Sequence, residues 1–115
     1  MDLESLVSRV KLRYLQGEHV PGDDEIEEML RTVVDRITIR MESTGSLPDA
    51  AGSIVVSAAM KALRLRGYEG STSESAADGG SVSNSFIDDI LAEYADDLAS
   101  LKRTMRRSGI KFLRG

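Results

Sequence analysis

Cysteine and tryptophan are absent from the chain, histidine occurs once, at His19, and aromatic residues make up only 4% of it. Without cysteine there can be no disulfide, no thiolate metal ligand and no Cys-His nucleophile, as expected of a chain made in a reducing cytoplasm. A Ser-His-Asp triad would rest on His19 alone, and that residue stands in the turn-like run His19-Val20-Pro21-Gly22. With so few rings, a core must be assembled from Leu, Ile, Val, Ala and Met. Long apolar runs are missing too. Residues 1–16 are broken by Asp2, Glu4, Arg9, Lys11 and Arg13, so neither an export signal nor a membrane anchor is expected, and no later segment approaches a span.

What is present suits one modest domain. The 115 residues can enclose a single core but not two. The net charge of -4 conceals a division: residues 1–97 hold all 19 acids and 9 of the 15 Lys and Arg, whereas residues 98–115 hold 6 basic residues and no acid. A basic end on an acidic body either complements the carboxyl end of a last helix or docks on an acidic partner or neighbouring copy.

Apolar spacing predicts an all-α chain, a small bundle of about four helices. Asp2 caps a first helix carrying Leu3, Leu6, Val7, Val10 and Tyr14, closed by Gly17, with Leu12 on the opposite face. A second helix starts at Asp23 or Asp24, its first turns loaded with acids, and its core stripe is Ile26, Met29, Leu30, Val33, Val34, Ile37 and Met41. Ser43-Thr44-Gly45-Ser46 ends it, and Pro48 opens a third helix reaching about Arg66. That third helix is apolar around most of its circumference, leaving a narrow polar strip at Ser53, Ser57, Lys61 and Arg64. It should be the central helix or be covered in part by another subunit. A fourth helix, about Ile87 to Arg107, carries Ile87, Ile90, Leu91, Tyr94, Leu98, Leu101 and Met105.

Between the last two helices, residues 67–86 are rich in Gly and Ser. Loops this long are uncommon in compact domains unless they have a function. Asp78-Gly79-Gly80 is a good tight turn, so Thr72 to Ala76 and Ser81 to Phe86 could pair as a β-hairpin, marginal by itself. After Ser108-Gly109, the run Ile110-Lys111-Phe112-Leu113-Arg114 alternates apolar and basic residues like a short strand seeking an edge.

No catalytic, cofactor or metal site is expected. The glycines at 67, 70, 79 and 80 lack the following Gly-Lys-Ser/Thr of a phosphate loop. The acid pairs Asp23-Asp24, Asp88-Asp89 and Asp96-Asp97 point in different directions on a helix, and two of them stand where a helix start favours negative charge. A surface this acidic does not suit sequence-specific DNA reading, although a repulsive wall would let DNA slide past.

The run Ala62-Leu63-Arg64-Leu65-Arg66-Gly67-Tyr68-Glu69-Gly70, with Ser71-Thr72-Ser73-Glu74-Ser75 and Gly79-Gly80-Ser81-Val82-Ser83-Asn84-Ser85-Phe86, resembles the head-tail connector (adaptor) proteins of long-tailed bacteriophages. The order of elements is similar over nearly the whole chain, and the specific likeness falls within residues 58–95. The resemblance implies a virion protein made in the host cytoplasm, placed at the portal vertex and forming a ring of about a dozen copies. Such a ring would bind the portal protein, prolong the DNA channel and receive a stopper or tail-completion protein. Residues 1–107 would be the connector domain, Gly70 to Phe86 its assembly loop, and residues 108–115, with Ile110, Lys111, Phe112, Leu113 and Arg114, its portal-binding tail.

The residues themselves also allow a small helical partner-binding or regulatory protein acting as monomer or dimer. Simple stoichiometry with one partner and no ring would mark that alternative.

Overall fold

The computed structural model describes residues 2–43, 46–69 and 84–107, and the described chain is all-α. Helix α1 spans Leu3–Leu12, α2 Asp23–Arg40, α3 Gly52–Glu69, α4 Asn84–Leu91 and α5 Ala95–Arg107. A 3-10 turn, Asp49–Ala51, leads into α3, and another, Ala92–Tyr94, joins α4 to α5.

Asp2 caps α1 as its position predicts. Its carboxylate accepts from the backbone N–H of Glu4 at 3.2 Å and of Ser5 at 3.3 Å, satisfying donors that the first turn leaves open. The hydrogen bond from the Ser5 hydroxyl, reinforced by the Glu4 amide, holds the Asp2 carboxyl below its ordinary range. The helix ends earlier than expected, with Arg13 as C-cap, so Tyr14 lies outside it, half-buried against the core. Gly17 sits in the following loop with φ at +91°, a left-handed conformation that a side chain would strain.

At the other end of α2 the closure is unusual. Glu42 has φ +56°; its N–H donates to Ile39 O at 3.1 Å and that of Ser43 donates to Thr38 O at 3.1 Å. This is the Schellman pattern, with glutamate at the position normally held by glycine.

The apolar stripes converge on one core. Ile26, Leu30, Val33 and Ile37 of α2, Val55, Val56, Ala58, Ala59 and Ala62 of α3, and Ile87 and Leu91 of α4 are completely buried. Helices α2 and α3 share the centre, each packed against the other and against α1 and α4, so α3 finds apolar partners on several sides within a single subunit. Three alanines on α3 let its neighbours approach closely.

Two ladders set the topology. Arg9 of α1 reaches Ser53 and Arg13 reaches Ser57, so α1 and α3 run parallel. Lys11, near the end of α1, pairs with Asp23 at the start of α2 at 2.9 Å, and α2 runs antiparallel to both while α1 and α3 touch directly.

The expected boundaries of the 67–86 segment need correction. Residues 67–69 continue α3, because one glycine costs a packed helix only about 1 kcal/mol. Residues Asn84, Ser85 and Phe86 form the first turn of α4, with Phe86 packed on the core, so these three do not belong to a hairpin strand. The expected single fourth helix is instead two α-helical pieces joined by the Ala92–Tyr94 turn, across which the backbone tightens without leaving the right-handed region. Its expected core residues Ile87, Ile90, Leu91, Leu98, Leu101 and Met105 are all buried, and Tyr94 is half-buried.

Candidate interaction surfaces

Most of the expected site residues lie outside the described part of the chain. These are Gly70, Ser71, Thr72, Ser73, Glu74, Ser75, Gly79, Gly80, Ser81, Val82 and Ser83 of the assembly loop, and the tail Ile110, Lys111, Phe112, Leu113 and Arg114. Asn84 and Ser85 are exposed on α4, and Phe86 is turned toward the core.

What the fold does present is a cationic seam between α1 and α3. Arg9 and Arg13, one helical turn apart, donate to the hydroxyls of Ser53 at 3.2 Å and Ser57 at 3.0 Å. The Ser53 and Ser57 half of the expected polar strip of α3 is thus met by arginines from the end of α1. Gly52 permits the approach: a Cβ there would stand 2.5 Å from Arg9 Nη1. Farther along, Arg64 donates to Glu18 at 3.1 Å and its guanidinium lies 5.4 Å from the Tyr14 ring centroid. Burial pushes the Tyr14 hydroxyl up, and Arg64 partly opposes the shift. Glu18 also accepts from Leu15 N–H at 2.6 Å, so one carboxylate ties the loop to α3. Lys61 pairs with Glu93 in the turn after α4. Arg13, Ser57, Met60, Lys61, Arg64 and Leu65 line an open groove of about 510 Å³ along this seam.

The two arginines differ from their neighbours. Lys61 and Arg64 each have a carboxylate, whereas among the described residues Arg9 and Arg13 form no ion pair and meet only neutral hydroxyls. Like charges four residues apart on a helix repel. Leu12, beside them on the outer side of α1, is 84% exposed.

The outer side of α2 has the opposite sign. Asp24, Glu28 and Asp35 fall on the side facing away from Ile26, Met29, Leu30, Val33 and Ile37, as the helical period requires, and all three are exposed; Arg31 shares this side and is paired with Glu27 at 3.1 Å. Asp24 and Glu28 form no ion pair among the described residues.

The acid pairs of the sequence are dispersed. Asp23 is engaged by Lys11, Asp88 by Arg36 from α2, and Asp96 and Asp97 open α5. His19 is exposed in the α1–α2 loop. No group of three His, Cys, Asp or Glu among the described residues could hold a metal, and no helix there is long and apolar enough to cross a membrane. Leu15 and Val20 are exposed near the Glu18–Arg64 end of the bundle, and Ile39 on the far end of α2.

Sequence reasoning placed the polar strip on α3 but missed the arginines that meet it. The signal was there: Arg9 and Arg13 are spaced four apart, as are Ser53 and Ser57. No family model, curated protein or solved structure matches the chain.

Proposed function

We propose that this chain is a structural subunit of a virion, forming a ring that joins the capsid portal to the tail and prolongs the DNA channel. The observation that carries the reading is the presence of two unlike faces on one bundle, a cationic α1–α3 seam and an acidic outer α2. A closed ring needs heterologous contacts, in which one face of a subunit meets a different face of the next. The likeness of residues 58–95 to head-tail connectors supports the same reading.

In this scheme the bundle is the ring wall, residues 70–83 with the exposed start of α4 contact neighbours, and residues 110–114 bind the portal protein. A stopper or tail-completion protein sits below, and double-stranded DNA passes without sequence-specific contact. Deleting residues 110–115 tests the assignment of the portal contact. Affinity for purified portal protein should fall while helix content by circular dichroism is kept. Unchanged affinity would remove the tail from the scheme, and a protein that binds one partner at simple stoichiometry without forming rings would favour a helical regulator instead.

A further inference from the structure

Arg9 and Arg13 are solvent-accessible cations without an ion pair among the described residues, and Asp24 and Glu28 are exposed carboxylates in the same condition. Each pair is spaced four residues along a helix, about 6 Å along its axis. The fold sets the two pairs on different sides of the subunit. Arg9 and Arg13 flank the α1–α3 seam, and Asp24 and Glu28 point directly away from the core.

We propose that the Arg9–Arg13 edge of α1 is the docking site for the outer face of α2 of a second copy, with Asp24 and Glu28 received by the two guanidinium groups. Matching spacing lets both ion pairs form together, and the repulsion within each pair, opposed in the single subunit only by the helix ends and neutral hydroxyls, is relieved further in the complex. Leu12, almost fully exposed on the outer side of α1 beside the two arginines, is covered by the same contact and supplies its apolar part. Surface ion pairs contribute little individually, so the charges mainly set register and orientation while burial around Leu12 adds to the hold. Since donor and acceptor surfaces are different, the contact is head-to-tail and each subunit can make it twice. This deepens the ring reading and rests on it for its biological setting, but the contact itself is a property of the free protein.

Sedimentation velocity of the full chain tests it. At about 20 mM salt, where charges act over roughly 20 Å, wild type should associate, and at about 0.5 M salt it should return toward monomer. Arg9→Ala/Arg13→Ala and, separately, Asp24→Ala/Glu28→Ala should each weaken self-association at least about tenfold. Arg9→Lys/Arg13→Lys, which keeps the charge, should retain salt-dependent association. An equimolar mixture of the two alanine double variants leaves one intact surface on each partner, so it should give a 1:1 dimer and nothing larger.

A wild type that stays monomeric at low salt, or alanine variants that associate like wild type, would overturn the proposal. Circular dichroism on each variant separates this from misfolding, and the exposed Asp24/Glu28 variant provides a second reading should the arginine variant unfold. If both alanine variants still form rings on portal-bearing capsids, the docking surface is wrong and the ring reading survives. If wild type associates in solution but never occupies the portal vertex, the reverse holds.

Discussion

Arg36 of α2 and Asp88 of α4, 52 positions apart in the chain, meet through two parallel hydrogen bonds, Nε to Oδ1 at 3.0 Å and Nη2 to Oδ2 at 2.8 Å. The pair fastens α4 to the bundle on the far side of the Gly/Ser-rich segment. Both carboxylate oxygens are engaged, so the Asp88-Asp89 pair of the sequence is half committed to structure.

The Arg36 hydrogen bonds hold the Asp88 carboxyl below its ordinary value of 3.8, and burial opposes the shift only in part. A lowered folded-state pKa means the stabilisation is fully present above the ordinary carboxylate value and fades as pH falls through the lowered one. Asp88→Asn should therefore destabilise the protein at pH 7 and flatten the acid side of its stability profile between about pH 4 and pH 2. Because the Arg36 and Asp88 side chains are 23% and 35% exposed, added salt should shrink the difference. Thermal melts across pH provide the check, and an unchanged acid limb would contradict the pairing.

The two left-handed positions should respond oppositely to substitution. Gly17→Ala meets no neighbouring atom, so its cost is backbone strain alone, about 1 kcal/mol. Glu42→Gly puts the favoured residue into the Schellman position and should gain about 0.5–1 kcal/mol, the relief of strain exceeding the added freedom of the unfolded chain. Urea titrations of both variants decide this, and equal signs would rule out the assigned backbone geometry.

The alanine-lined packing of α3 should be intolerant of bulk. Ala59 has no exposed surface, and Ala59→Leu should cost about 2 kcal/mol or more through overpacking, whereas Leu30→Ala should cost about 3 kcal/mol through the cavity it leaves. Changing the half-exposed Leu65 to Gln should move stability by less than about 0.5 kcal/mol. A core tolerant of Ala59→Leu would mean that α3 is not tightly packed around Ala59.

Much of the bundle was legible in the sequence. Local rules reach four residues at a time, so the Asp2 cap and the stripe Ile26-Met29-Leu30-Val33-Ile37 could be read from spacing. They do not see partners brought together by topology. Arg36–Asp88, Arg9–Ser53 and Arg13–Ser57 depend on helix order and direction, and the matched spacing of Arg9/Arg13 and Ser53/Ser57 becomes informative only once α1 and α3 are known to run parallel. The limits of the Gly/Ser segment shifted for a related reason. Composition marked Gly67 and Phe86 as its ends, but the α3 backbone stays helical through Glu69, and the apolar contact of Phe86 accompanies a start of α4 at Asn84.

The assembly segment should be dispensable to the bundle but not to the ring. Replacing residues 72–83 with a tight turn, while leaving Asn84 and Ser85 in α4, should preserve helix content and melting temperature yet prevent ring formation. A large loss of helix by circular dichroism would make the segment part of the fold instead.

The connector reading itself stands or falls at the capsid. Purified protein should be incubated with portal-bearing, tailless capsids of the same virus, sedimented, and the portal vertex imaged by electron microscopy. The account predicts added ring density of subunit size directly beneath the portal, with DNA-channel continuity. Capsids that sediment without the protein at micromolar concentration, or protein bound anywhere other than the portal vertex, would contradict it.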